Sequence, residues 1–298
     1  MLFGRQRLVS PLPWANALRA WDGGSAILES ESIVATAFLT QFVQPQKYDF
    51  NDVHRGVDFG GVYATRRATD EQLGIDAYAL WLDRQASGFN GTVGEDERWT
   101  VGARLWQPPA SSRVDFDIEA AWQFGEIGQA DVNAYMVAVL AGHTFACDLQ
   151  PRAWLGFDYA SGDRRPGGGV QTFQQLFPLG HAYFGAIDTI GRQNIIDASG
   201  GVEAKLLSNL KTALEGHAFW LADRSDALYD AAGNVVRPGG SARSRQVGFE
   251  VDWTAQWQVN RHLGALLGVS YFVAGDVLEQ SGPSDDISFA YAQATFVF

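Results

Sequence analysis

The sequence predicts an all-β protein, an antiparallel transmembrane β-barrel of the outer-membrane type, and three observations carry that expectation. The first is residues 287–298, ISFAYAQATFVF, which alternate to the end and stop on Phe298. Strand side chains point to opposite faces with a period of two, so Phe298, Phe296, Ala294, Ala292 and Ala290 share one face, and Val297, Thr295, Gln293 and Tyr291 the other. An apolar terminal strand at an open sheet edge invites aggregation, whereas a closed membrane barrel has no such edge. The second observation is a dyad of apolar and charged residues. Val114, Phe116, Ile118 and Trp122 oppose Asp115, Asp117 and Glu119, while Trp99, Val101, Ala103 and Leu105 oppose Arg98, Thr100, Gly102 and Arg104. Likewise Val247, Phe249, Val251, Trp253, Ala255 and Trp257 oppose Gln246, Gly248, Glu250, Asp252, Thr254 and Gln256. Charges at every second position cannot face lipid, where each costs several kcal/mol at mid-depth, so they line a polar interior. The third observation is that connection length sorts by parity.

In order, strands are expected at residues 2–10, 25–30, 33–43, 57–66, 74–84, 98–107, 113–124, 131–145, 152–160, 197–207, 211–222, 245–259, 262–274 and 287–298, about 14 in all. With the C-terminus on the periplasmic side, the short turns near Ser30, Thr69, Pro108, Cys147, Ser208 and Asn260 all fall there. The loops at Pro11, Pro45, Gln85, Gly162, Asp223 and Asp276 fall outside, with a short link near Gly125. Short periplasmic turns and long outer loops are the rule for these barrels. The whole chain, residues 1–298, is read as one barrel domain with long outer loops at about 161–195 and 223–244.

Composition narrows the function classes. No run of about 18 apolar residues supplies a transmembrane helix, and a net charge of -12 excludes a nucleic-acid partner, which needs a basic surface. The 10 Trp, 9 Tyr and 19 Phe suit interfacial girdles, with Trp154, Trp253 and Trp257 as wall or girdle residues. Cys147 stands alone, so no disulfide or cysteine zinc site is available. His143, His181 and His217 lack paired metal spacing, and Pro166 to Gly169 lacks the ending of a phosphate loop, so no metal or cofactor is expected. No Ser/His/Asp set can be tied together, and an enzyme is not expected. No signal peptide is visible at the start, because LFGRQRLVS already reads as a strand.

Residues 159–188, YASGDRRPGGGVQTFQQLFPLGHAYFGAID, resemble the long loop of the alginate export family in the SGD string and in FQQLFPLGHAYFG followed by an Asp. GRQ at Gly4 to Gln6, the WDG at Trp21 to Gly23, and a strand with Tyr78 and Trp81 closing on Asp83 and Arg84 are similar to that family too. The resemblance implies a bacterial outer-membrane barrel of about 18 strands. It also implies contact with lipid and lipopolysaccharide, periplasmic export partners, and an anionic polysaccharide or small carboxylated solute as cargo. On that reading the chain lacks a signal peptide and about four N-terminal strands; a smaller, even-stranded barrel is the alternative. The terminal strand then closes against residues 2–10 or against a strand that precedes them.

A polyuronate path calls for arginines, whose planar fork matches carboxylates and stays charged. Face assignment sends Arg98, Arg104 and Arg152 inward, with Arg5 and Arg7 on a strand whose face also holds Phe3 and Val9. Inward acids are Asp115, Asp117, Glu119, Asp158, Glu250 and Asp252, with Glu203, Lys205, Glu215 and His217 as neighbours. Phe173, Phe177, His181, Tyr183 and Phe184 are candidates for a loop that plugs the lumen. The acidic excess favours the alternative, a general or small-solute uptake porin of the same fold.

Overall fold

The structure, a computed structural model, describes residues 1–15, 17–109 and 113–298, and of residues 54 and 55 only the backbone. Thirteen long strands form one antiparallel sheet in which sequence neighbours pair throughout: β1 (Ala20–Glu29), β2 (Ile33–Gln44), β3 (Asp52–Arg66), β4 (Gly74–Phe89), β5 (Thr92–Gln107), β6 (Val114–Ile127), β7 (Ala130–Thr144), β8 (Arg152–Ala160), β9 (Ile195–Leu207), β10 (Leu210–Leu221), β13 (Gln246–Gln258), β14 (Leu263–Ala274) and β15 (Ile287–Phe296). A two-stranded ribbon, β11 (Leu228–Tyr229) with β12 (Val235–Arg237), and the short helix α1 (Asp276–Ser281) sit in the long connections. Among the described residues no helix is long and apolar enough to cross a membrane, and the crossing elements are the strands.

Along the middle strands one face is buried by the chain's own irregular segments while the other stays apolar and exposed, whereas β1 and β15 are exposed on both faces. On β6, Asp115, Asp117, Glu119 and Gln123 are buried, and Val114, Ile118 and Trp122 are exposed. The same split holds for Glu250 and Asp252 against Phe249, Val251 and Trp253 on β13. This apolar-out, polar-in order is that of an outer-membrane barrel and the reverse of a soluble sheet's burial. Val247, expected outward, is buried against Val277 of α1, because the register slips at Phe219/Trp220.

Connection length sorts by end of the sheet with two exceptions. One end carries the short turns, at residues 30–32, 67–73, 145–151, 208–209 and 259–262; of the turn at 108–112, residues 110–112 lie outside the described set. The other end carries residues 45–51, 161–194, 222–245 and 275–286, together with two tight hairpins. One of these corrects an expectation. The loop expected at residues 85–97 is instead a continuation of both strands, joined at Asn90 (φ 44°) and Gly91 (φ 90°). Asn-Gly accepts the two positive φ angles of a twist-compatible hairpin turn; the flanking Gly and acid content masks that signal.

The second correction concerns the start of the chain. Residues 2–10 do not form a wall strand but run through the interior beside the long 161–194 connection. The Ser10 N–H donates to Phe177 O, the Phe177 N–H to Leu8 O and the Leu179 N–H to Gln6 O, each at 2.9 Å. Positive φ at Gly4, Gln6 and Leu12 breaks the extended run, and Pro11 and Pro13 follow. The first wall strand is therefore β1, longer than the expected 25–30 segment and containing Trp21 to Gly24. β15 pairs with β14 and β1 with β2, so these two form the edges of the sheet, and neither residues 2–10 nor any other described residue pairs with β15 as a closing strand.

Gly125 at φ 142° lets β6 pass close to β5: a Cβ there would sit 2.1 Å from Glu97 O. Gly125→Val is expected to cost about 1–3 kcal/mol through backbone strain, read as a lower urea midpoint for the protein folded into lipid vesicles.

Candidate functional site

The interior charges begin with cross-strand neighbours. In the register of the wall Asp76 faces Arg104 and Arg104 faces Glu119, all on the inner face. Arg104 donates from Nη1 to Asp76 at 2.8 Å and from Nη2 to Asp117 at 2.6 Å, with Nε 3.0 Å from each Asp117 oxygen. Arg7 enters from the N-terminal segment and bridges Asp117 (2.7 Å) and Glu119 (2.9 Å). The Tyr63 hydroxyl donates to Asp76 at 3.0 Å and the Tyr78 hydroxyl to Glu119 at 2.9 Å, and the two rings stack at 5.2 Å. Charge-assisted bonds of this kind are the strong ones, and every buried carboxylate in the set has a cation beside it.

Toward the short-turn end lie Arg152 and Arg5. Arg152 donates to Asp115 at 2.6 and 2.8 Å and to Glu203 at 3.0 Å. It lies flat on the wall because its neighbour is Gly142, where a Cβ would be 2.5 Å from Arg152 Nη2. Arg5 is the loosest of the arginines, 44% exposed and 3.6 Å from Asp117. Around these two guanidiniums are linked cavities of about 190 and 250 Å³, the first also bounded by Trp154, Tyr183, Glu215 and His217. Trp154 thus turns inward, while Trp253 and Trp257 are exposed on the outer face.

Toward the long-loop end, Arg98 is fully buried, held by Asp96 at 2.6 and 2.8 Å and stacked over Phe89. The loop aromatics fold into the space enclosed by the sheet. Phe173, Phe177 and Phe184 are buried, and Phe177 meets the rings of Phe59, Phe42 and Trp21. Tyr183 lies between the guanidiniums of Arg7 and Arg192, and its hydroxyl donates to Arg5 O. His181 stacks on Trp14 and contacts Asp188 at 3.2 Å. Gln123 pins the loop backbone by donating to Gln174 O (2.7 Å) and accepting from Gln174 N–H (2.8 Å).

The strands that follow β8, namely β9, β10 and β13, are different. His217 Nδ1 is 2.9 Å from Asp197, and Glu250 accepts the Ile187 N–H at 2.9 Å. No arginine pairs with Glu250 or Asp252 among the described residues, and Glu250 Oε2, Asp252 Oδ1 and Ser270 Oγ have no hydrogen-bond partner. Above this layer, outside the membrane-spanning strands, Asp226 ties the two long loops together. Its carboxylate accepts from Thr172 (2.5 Å), the Asp163 N–H (2.8 Å), the Ala227 N–H (2.7 Å) and Tyr229 (2.9 Å). Burial pushes the Asp226 carboxyl above the ordinary carboxylate range, against the opposing pull of those donors.

Sequence reasoning missed Arg192, Asp76 and Asp96. Arg192 is a lone cation in an apolar loop stretch that finds Asp158 and the Phe184 ring. Asp76 was legible as the inward partner of Tyr78 and Leu80, and Asp96 lay in the segment read as loop.

Two outcomes test this arrangement. Asp117→Ala strands Arg7 and Arg104 and is expected to cost about 3–5 kcal/mol. In urea titrations the Asp117→Ala/Arg104→Ala double variant should lose less than the sum of the singles. Asp226→Ala removes four acceptor contacts and should open residues 223–244 to limited proteolysis while the strands stay protected.

The family described as Alginate export matches residues 1–290. A comparison with curated proteins finds no match. Among solved structures, a chain titled "NanC porin structure in rhombohedral crystal form" superposes with a TM-score of 0.38 at 8% identity, over 82% of this chain and 94% of that one. With the match running over nearly its whole length, this chain belongs to the alginate export family, and its curled sheet with a charged interior is that of an outer-membrane channel.

Proposed function

We propose that the protein is a passive channel for an anionic polysaccharide or other carboxylated solute, with Arg5, Arg7, Arg104 and Arg152 forming the path. The observation that carries this reading is their convergence. Four guanidiniums from the N-terminal segment, β5 and β8 meet around the cavities at the short-turn end, beside the rings of Trp154, Trp106 and Tyr183. Guanidinium forks suit carboxylates, and aromatic faces suit the apolar faces of sugar rings.

The fixed acids have a role in such a path. Conduction requires binding strong enough to admit the solute and weak enough to release it. A guanidinium already shared with Asp115 or Asp117 offers a passing carboxylate an exchange of partners rather than a deep well. Arg5 and Arg152, the most open of the set, are the residues at which such exchange costs least. In this reading the 161–194 connection, with Phe173, Phe177, His181, Tyr183 and Phe184, and the N-terminal segment together act as the plug. Arg98, sealed beneath Gln123 and the loop, and Asp158, bound to Arg192, hold that plug and do not contact the solute.

A second reading has its own support. Asp197, Glu215, Glu250 and Asp252 lie on the strands that follow β8 without an arginine ion pair among the described residues, which suits a porin for small neutral or cationic solutes. Planar-bilayer recordings separate the two. The polysaccharide reading expects chloride preferred over potassium, with the preference falling in Arg5→Ala/Arg152→Ala. It also expects a severalfold higher conductance when residues 171–179 are deleted. Cation preference that the arginine variants leave unchanged would sink it in favour of the small-solute porin.

A further inference from the structure

The outer face of the wall has a defect in its apolar surface. One lateral row of outward positions reads Ala141, Leu155, Gly200, Gly216, Val251, following the cross-strand register of β7, β8, β9, β10 and β13. Gly200 and Gly216 are direct partners, so two adjacent strands present no side chain at the same height. Ala141 and Ala153 extend the low floor, and Leu155, Val202, Leu214 and Val251 stand around it. The result is a largely apolar groove of about 800 Å³ on the outer face, where the missing side chains leave the inward-turned Trp154 and Glu215 as part of its floor, nearer the short turns than the long loops. Its volume falls within the range of about 300–1,000 Å³ typical of small-molecule sites.

Sheet positions with outward glycine normally weaken a strand, since nothing packs on them. Two paired glycines in a lipid-facing band leave a void, and a void loses the contacts that a filled surface would make. We infer that this groove is a binding site for one phospholipid acyl chain. The groove is continuous with the exposed apolar band of Leu155, Val202, Leu214, Val251 and Trp253, which in an outer-membrane protein faces hydrocarbon. The occupant is therefore supplied by the membrane. Its end toward the short turns carries His143, the one polar side chain among the outward lining residues, beside the exposed ring of Phe145. Short turns mark the periplasmic side, where the leaflet is phospholipid, so a phosphate headgroup would lie beside His143 with its chain running up the groove. This inference needs the membrane setting alone and is independent of the cargo.

The groove can be filled without disturbing the wall. A Cβ at Gly216 meets nothing closer than 3.9 Å, so Gly216→Leu places its side chain in the groove. Ala153→Leu fills it from the other side, and Ala37→Leu on the outward face of β2 serves as control. The full-length protein and each variant would be reconstituted with palmitoyl-oleoyl phosphatidylethanolamine, re-extracted in detergent and weighed by native mass spectrometry, with a heat-modifiable gel shift reporting folding. The expected result is one retained phospholipid in the wild type and in Ala37→Leu, and none in Gly216→Leu and Ala153→Leu. Absence of retained lipid in the wild type overturns the inference, as does equal retention by either folded groove variant. Loss of a dimer in Gly216→Leu with lipid unaffected would also overturn it, placing a second copy of the chain in the groove.

Discussion

The wall has one face in hydrocarbon, so the charge within the membrane is carried on the other, and buried charge held there is costly unless it is paired. Removing one partner of a buried ion pair leaves the other uncompensated at a cost of about 3–5 kcal/mol. On the inner face of β4, β5 and β6, Arg98 holds Asp96 and Arg152 holds Asp115, which leaves Asp76, Asp117 and Glu119 with Arg104 from these strands. Arg7 and Arg5 complete the set, and both come from the N-terminal segment. Three acids then face three arginines. That balance gives a physical reason for residues 2–10 to lie inside the sheet rather than in it.

The same requirement explains how the long connection is held. Its backbone is bonded to Gln123 and to the N-terminal segment, its aromatics cover the apolar patch of Phe38, Phe59 and Leu80, and its Arg192 meets Asp158. Apolar contact fills the β2–β4 side, and ion pairs fill the β5–β8 side. Each inner surface of the wall is thus matched by the chemistry of the segment laid against it, and the loop's course follows from the wall.

How far this was legible in the sequence depends on the kind of signal. Alternation fixes the face of each wall residue, and on the expected inward faces Arg98, Arg104, Asp115, Asp117, Glu119, Asp158, Glu250 and Asp252 are buried, with Arg152 mostly so. It works because the two faces meet solvents of opposite polarity. It gave no partner for Asp158, because Arg192 lies in an irregular segment whose position depends on packing. Residues 2–10 alternate too, but Phe3 and Val9 share a face with Arg5 and Arg7. Neither lipid nor a polar lumen suits such a face, and the interior, with Phe3 on Tyr63 and Arg7 on Asp117, suits both halves of it. The mixed face was the available sign that this stretch was not wall.

The two sides of the interior are electrostatically unequal, and this bears on transport more than the count of charges does. On the β4–β8 side each acid is bound to an arginine, so the net field there is small. On the β9–β13 side Asp197, Glu215, Glu250 and Asp252 have no arginine ion pair among the described residues, and His217 lies against Asp197. Family membership sets the barrel and its membrane; the contrast between arginine-bound acids on β4–β8 and arginine-free acids on the strands that follow is the feature on which the proposed selectivity rests.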